Sequence, residues 1–427
     1  MKLSLHARIL LGLAIGAIAG GLAHRFAADS RWLEWFIPSV TKPIGDIFIR
    51  LLLMLVLPLM FSALVLGVAE LGDLRRLGRI GIKTLAYTIV VSTIAVLLGV
   101  GMVNLFRPGE GLSPDRQAEL LQRLQNESER HAGAIAKVRQ PPASAAEMIV
   151  NIVPNNPIAA AANGDYLAWM FFALMIGIGL CLVKTPSTAQ LLEVIRGLFE
   201  VCMLLIRMVI WLAPIGVAAL LFNLTAQFGW EVLKQLGAYI GVVIAALLIH
   251  QFIVYSIAIK TLGKMSPVRF FREVQEAMVM AFSTASSNAT LPTALKVADE
   301  NLRLPQHISR FVLTVGATAN QNGTALFEGV SVLFLAQFYG VELTLAQQFT
   351  VVFMCVLGGI GTAGVPAGSL PVIVMIMGMI GVPVEGIGLI IGIDRFLDMC
   401  RTTLNVTGDL AAAVVISRSE QAALRTT

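Results

Sequence analysis

Residues 391–410 read IGIDRFLDMCRTTLNVTGDL and set ionised groups into a stretch whose flanks are apolar. At about 3.6 residues per turn, Asp394, Asp398, Arg401, Asn405 and Asp409 share one helix face within roughly 80°. Residues 386–393 and 410–416 on either side are apolar, so the pattern predicts a membrane helix with a polar stripe. A carboxylate or guanidinium at mid-bilayer costs about 2.5–3.5 kcal/mol on insertion scales. Five such charges, counting Arg395, cannot face lipid. They must face protein, water or a ligand, and an ionisable cluster inside a membrane marks a functional site.

The rest of the chain fits that frame. Of 427 residues, 57% are hydrophobic and 13% charged, and the mean hydropathy is +0.81, which is the profile of a polytopic membrane protein. The net charge of +5 is spread over loops without a basic tract, so nucleic acid is not an expected partner and the Lys and Arg excess sets topology instead. Cys181, Cys202, Cys355 and Cys400 lie in apolar segments without metal-ligand spacing and read as packing residues. Residues 9–23, preceded by Lys2 and Arg8, read as a first membrane helix with a cytoplasmic N-terminus rather than a signal peptide, because a polytopic chain follows.

Two tryptophans in residues 32–43 suit a membrane interface, and 47–69 spans, interrupted by Arg50 and Pro58. Arg75, Arg76, Arg79 and Lys83 predict a cytoplasmic loop over 71–83, followed by a helix over 84–105. Residues 107–146, polar and containing Pro141-Pro142, then form a loop on the opposite side. Apolar segments recur at 149–162 (broken by Pro154 and Pro157), 167–183, 191–221 and 236–259, and Lys260, Lys264, Arg269 and Arg272 return the chain to the cytoplasm. Beyond this point the apolar arms 274–297 and 349–379 are each interrupted by small and polar residues, STASSNATLP at 283–292 and GTAGVPAGSLP at 361–371. Backbone groups freed by Gly and Pro are tolerated at membrane depth only against a buried cavity, so both arms read as re-entrant hairpins. Each hairpin precedes a helix with a polar interruption or stripe: 311–338 with NQNGT at 320–324, and the Asp394 helix. Interrupted hydrophobic segments in two corresponding halves point to the binding site of a secondary transporter.

At these residues the chain resembles the dicarboxylate/amino acid:cation symporter family, the glutamate transporters and their prokaryotic homologues. The resemblance covers essentially the whole chain and rests on ordered motifs: GDIFIRLLLMLVLP at 45–58, IVPNNP at 152–157, SSNATLP at 286–292, NQNGT at 320–324, GVPAGS at 364–369, and the polar helix. It implies an all-α polytopic membrane protein of eight transmembrane helices plus two re-entrant helical hairpins in inverted repeats, a glutamate-transporter-like elevator fold assembled as a homotrimer. The implied division is 1–83 scaffold helices one and two, 84–106 helix three, 107–147 extracytoplasmic loop, 148–223 scaffold helices four and five, 224–262 helix six, 263–306 hairpin one, 307–340 helix seven, 341–383 hairpin two, and 384–427 helix eight with a cytoplasmic tail. Helices three, six, seven and eight with both hairpins form the implied transport domain, and the first hairpin faces the cytoplasm, the second the outside.

The resemblance also implies roles for single residues. Arg401 pairs with the substrate's side-chain carboxylate, a role its planar fork suits, although an internal ion pair with Asp398 is the competing arrangement. Asp398 falls where the family binds an amino group, which favours glutamate or aspartate over a plain dicarboxylate. Thr402 and Asn405 match positions that bind the amino and alpha-carboxyl groups, and Ser286, Ser287, Thr324, Val365 and Ser369 match further substrate contacts, with hairpin-tip packing as the alternative. Gly316, Asn320, Asn405 and Asp409 match a sodium site of hard oxygen donors. Thr318, Gly359 and Thr362 match a second sodium site, and Asp394 a residue that holds Arg401 or the hairpin.

Three departures stand out. Asn322 replaces the family's usual acid at a third sodium site where only Ser92 remains of the expected hydroxyls, so that site is weakened or absent. Gln321 replaces a usual methionine, and Ala367 a frequent glycine. Glu328 matches a titratable glutamate of proton-coupled relatives, a buried carboxylate able to take a proton, against a plain hydrogen-bonding role. The expectation is an inner-membrane, multi-pass importer of glutamate or aspartate with cytoplasmic termini, no cofactor, and protons as coupling ion, with sodium left open as a second. A C4-dicarboxylate or neutral amino-acid symporter is the alternative within the class, and a ligand-gated anion channel the alternative outside it. No nucleophile, base and orienting partner occur together, so an enzyme is not expected.

Overall fold

The structure is a computed structural model that describes residues 5–27, 30–70, 74–111, 153–162, 166–361 and 368–424, and all regular structure among them is helical. The expected extracytoplasmic loop beyond residue 111 and the tip of the second hairpin, including Thr362 and Val365, lie outside the described residues.

In chain order the helices begin with α1 (Leu5–Ala27), α2 (Arg31–Phe36), α3 (Lys42–Glu70), α4 (Leu74–Phe106), α5 (Pro157–Ala162), α6 (Tyr166–Leu182) and α7 (Pro186–Phe228). The Trp-containing segment at 32–43 is not separate: a π-turn over Ile37–Thr41 joins α2 to α3. α4 begins ten residues earlier than the sequence pattern suggests, because Arg79 and Lys83 need no loop; their charges reach Glu420 and Ser419 near the end of the last helix. α1 lies on α7 through Gly12, Gly16 and Gly20, four residues apart, where any Cβ would overlap the α7 backbone or Thr225. α7 runs through Pro214 and past the predicted end at 221, since Thr225 Oγ1 donates to the Leu221 carbonyl at 2.8 Å and so satisfies itself inside the helix.

The chain continues with α8 (Glu231–Ile249), a π-turn (His250–Val254) and α9 (Tyr255–Thr261). The first hairpin is α10 (Pro267–Thr284) and α11 (Ser287–Lys296); its turn is only Ala285-Ser286, with Ala285 at φ 48° and Ser286 capping α11 by accepting the Ala289 N–H at 3.2 Å. Of the predicted interruption at 283–292, all but Ala285-Ser286 is therefore helical. A broken pair follows, α12 (Gln306–Ala319) and α13 (Asn322–Phe338), then α14 (Leu345–Gly361) and α15 (Leu370–Ile380) as the arms of the second hairpin, and α16 (Ile387–Leu424). Ala7–Ala27, Arg79–Phe106, Pro186–Gln227 and Glu231–Thr261 are long and apolar enough to cross a membrane by length and composition. α12, α13 and α16 are not among them because breaks and charges interrupt their apolar runs. Large apolar side chains such as Val90, Val194, Trp211 and Ile215 point outward, as a lipid-facing surface requires. The buried core instead holds the polar face of α16.

Candidate functional site

The polar stripe predicted on α16 turns inward as one face. Asp394, Asp398, Arg401, Thr402, Asn405 and Asp409 are all buried, while Phe396 on the other side is exposed. Arg395, outside the stripe, is half-buried and aims Nη2 at the Thr284 carbonyl of the first hairpin, 3.5 Å away.

Arg401 is the charge centre. Its side chain is 2% exposed; Nη1 donates to Asp394 Oδ1 at 2.8 Å and Nη2 lies 3.0 Å from Asp398 Oδ1. The competing internal pair with Asp398 is thus present, and Asp394, seven residues or two turns away, takes the other prong. The guanidinium also lies over the Phe327 ring, 4.3 Å from its centroid, so its face is covered by an aromatic and its edge by carboxylates. α13 reaches this close because residue 323 is glycine: a Cβ there would stand 2.6 Å from the Arg401 carbonyl oxygen.

One turn further, Asn405 joins three elements. Its Oδ1 accepts the Gly323 N–H at 2.7 Å, and its Nδ2 donates to Gln321 Oε1 at 2.6 Å and Thr324 Oγ1 at 3.1 Å. Ser287, buried at the first hairpin tip, lies 3.5 Å from the Gln321 amide. Ser286 is spent on capping, and Ser369 is buried at the start of α15 with no partner for its hydroxyl among the described residues. The expected substrate contacts Ser287, Thr324, Asp398, Arg401 and Asn405 therefore converge between the first hairpin, the α12–α13 break and α16.

The expected cation residues sit beside them. Asp409 Oδ1 accepts Asn320 Nδ2 at 2.9 Å, Gly316 packs against that carboxylate, and Asn320 Oδ1 is buried without a hydrogen-bond partner among the described residues. A buried carboxylate, an unpaired amide oxygen and the carbonyls of a broken helix make a donor set suited to a hard cation. Thr318 is half-buried and donates to Val315 at 3.0 Å, while Gly359 faces the α12–α13 break; with Thr362 outside the described residues, the second set is only partly assembled.

Asn322 is closed into a neutral chain. Ser92 Oγ donates to its Oδ1 at 2.6 Å, its Nδ2 donates to Tyr255 Oη at 3.1 Å, and Tyr255 donates to the Leu404 carbonyl at 3.2 Å. An amide with all of these partners carries no negative charge to offer a cation. Glu328 is fully buried on α13 and faces the second hairpin, where Gly358 makes room: a Cβ there would lie 2.9 Å from Glu328 Oε2.

Several neighbours were not singled out from sequence. Tyr255 and Phe327 lie in apolar runs where an aromatic reads as packing. His250, fully buried in the π-turn with both ring nitrogens unpartnered among the described residues, sits edge-on to Tyr255 at 4.8 Å. Gln321 was visible only as a departure from the family's pattern.

Buried opposite charges framed by broken helices, inside a bundle with an apolar exterior, define a membrane transport protein. The chain belongs to the sodium:dicarboxylate symporter family, which it matches over residues 5–419. It is 34% identical over 420 residues to the proton/glutamate-aspartate symporter of Escherichia coli strain K12, covering 98% of this chain and 94% of the relative. To the proton/sodium-glutamate symport protein of Bacillus subtilis strain 168 it is 33% identical over 422 residues, again 98% and 94%. Identity falls to 29% over 421 residues, 98% and 90%, for the C4-dicarboxylate transport protein of Anaeromyxobacter sp. strain K.

Proposed function

We propose that this protein is a secondary active symporter that imports glutamate or aspartate, coupled to protons with sodium as a further coupling ion. The observation that carries the reading is Arg401 bound between Asp394 and Asp398 at 2.8 and 3.0 Å, a guanidinium and a carboxylate presented side by side. An acidic amino acid carries the complementary pair: its side-chain carboxylate takes the Arg401 prong that Asp398 now holds, and its ammonium takes the released Asp398. Asp394 keeps the other prong, so the guanidinium stays oriented during the exchange. Thr402 and Asn405 then serve the amino and alpha-carboxyl groups, with Ser287, Thr324, Ser369 and the second hairpin tip around Val365 as further contacts. The glutamate and glutamate-aspartate symporters at 33–34% identity support this choice.

Coupling follows from charge. Asp394, Asp398, Asp409 and Glu328 outnumber Arg401 and Arg395, and an acidic substrate adds a further negative charge. Moving that excess through a bilayer is costly, whereas each proton on Glu328 or sodium beside Asp409 removes one unit. Glu328 faces the second hairpin, so its protonation acts where the hairpin must close. In this reading the transport domain (84–106 and 224–427) slides against scaffold helices in 1–83 and 148–223, eight transmembrane helices and two hairpins per protomer, in a homotrimer of the inner membrane with cytoplasmic termini.

A C4-dicarboxylate carrier is the second reading; Arg401 alone would serve it, but Asp398 within 3.0 Å of the fork is a repulsive neighbour for a second carboxylate. The test is competition for the binding of labelled aspartate to purified protein: aspartate and glutamate compete and succinate does not, while Asp398→Asn loses that discrimination. Succinate competing as well as aspartate in the wild type would refute the amino-acid assignment.

A further inference from the structure

Gln321 occupies a junction that no role above accounts for. α12 ends at Ala319 and leaves the carbonyls of its last turn without helical partners. The Asn320 backbone N–H returns to the Gly316 carbonyl at 2.9 Å. The Ala317 carbonyl is met by a side chain: Gln321 Nε2 donates to it at 2.9 Å and lies 3.4 Å from the Gly316 carbonyl as well. The other end of the same amide accepts Asn405 Nδ2 at 2.6 Å, and Ser287 of the first hairpin is 3.5 Å away. The Gln321 backbone carbonyl faces the second hairpin, 3.3 Å from where a Cβ on Gly359 would stand. This single buried residue therefore touches both hairpins, caps α12 and fixes the polar face of α16.

Its chemistry resembles what a bound cation would do there. Oxygens suited to a cation beside Asp409 already receive N–H groups of the chain: Gly316 from Asn320 and Gln321, Asn405 Oδ1 from Gly323, Asp409 Oδ1 from Asn320 Nδ2. Amide hydrogens carry partial positive charge, so they hold these oxygens together without an ion, and an arriving ion must compete with them. An apolar residue of similar length at 321 would supply none of these bonds.

We propose that Gln321 is a positioning residue that assembles the α12–α13 break and Asn405 in the absence of sodium, and thereby lowers the sodium dependence of this region. The inference rests on the cation-coupled reading of the Asp409 region. It is tested on purified full-length protein without substrate, by following thermal unfolding while sodium chloride replaces choline chloride at constant ionic strength. Gln321→Met is expected to respond to sodium at a concentration roughly fivefold lower than the wild type, the competition from about one hydrogen bond having been removed. Adding Asp409→Asn is expected to abolish that gain. Gln321→Leu also removes the donor, with a different shape, and serves the same comparison where the methionine variant does not fold. Equal sodium responses in wild type and variants, or a gain that survives Asp409→Asn, would overturn the inference. Aspartate uptake by the wild type is measured separately: uptake without the sodium gain sinks this inference alone, and the gain without uptake sinks the substrate assignment alone.

Discussion

Asp394→Asn isolates the part of the site that orients Arg401 without touching the proposed substrate. The side chains of Asp394 and Arg401 are 6% and 2% exposed, and the 2.8 Å bond between them is charge-assisted and screened from water. Asparagine keeps the shape and one acceptor but removes the charge. A hydrogen bond to a charged group contributes about 1.5–3 kcal/mol, so the substitution should cost roughly a tenfold to hundredfold factor wherever the orientation is needed. The remaining carboxylate, Asp398, then pairs with Arg401 undivided, and a substrate must break a tighter pair to enter. Initial rates of labelled aspartate uptake in proteoliposomes should therefore show KM raised at least about tenfold, with the maximal rate less affected. A KM within about twofold of wild type would refute the claim that Asp394 holds the guanidinium for substrate.

Three further outcomes follow from the same geometry. Gly323→Ala brings a Cβ to 2.6 Å from the Arg401 carbonyl and should destabilise the purified protein by about 1–3 kcal/mol, seen as a lower melting temperature and a weaker aspartate affinity. At the polar end of α16, beyond its apolar stretch, the Glu420 carboxyl is held below its usual range chiefly by the Arg79 hydrogen bond, with Lys83 assisting. A depressed carboxylate stabilises the fold above its unfolded value of about 4.3 and loses that contribution as pH falls through its folded value; Glu420→Gln should therefore melt earlier than wild type at pH 7, with the gap closing in melts taken below about pH 4. Asn322→Asp places a carboxylate beside the Ser92 and Tyr255 hydroxyls and should increase the sodium dependence of aspartate binding, measured in sodium against choline; an unchanged dependence would show that residue 322 does not limit a cation site.

The polar face of α16 was legible because four-, three-, four- and four-residue spacings leave one geometric solution in an apolar helix. The break at Asn320-Gln321 was legible because polar residues there interrupt an apolar run, whereas a partner role for Asp394, toward Arg401 or the hairpin, came only from the resemblance. Boundaries were less so. Arg79 and Lys83 look like loop residues until Glu420 is seen opposite them, and Thr225 looks like a helix end until its hydroxyl is found bonded to its own helix. The π-turns at Ile37–Thr41, His250–Val254 and Val297–Asn301 carry no local signature. Gln321 was read as an anomaly because its partners, Ala317, Asn405 and Ser287, come from three elements that only the fold brings together.

The central claim is most directly tested by labelled aspartate accumulation in proteoliposomes, with pH and sodium gradients imposed separately on wild type and Glu328→Gln. Accumulation above the external concentration under an inward-acidic gradient without sodium, lost in Glu328→Gln, is the predicted result. Accumulation that requires sodium and ignores pH, or aspartate flux that never exceeds equilibration, would contradict proton-coupled symport.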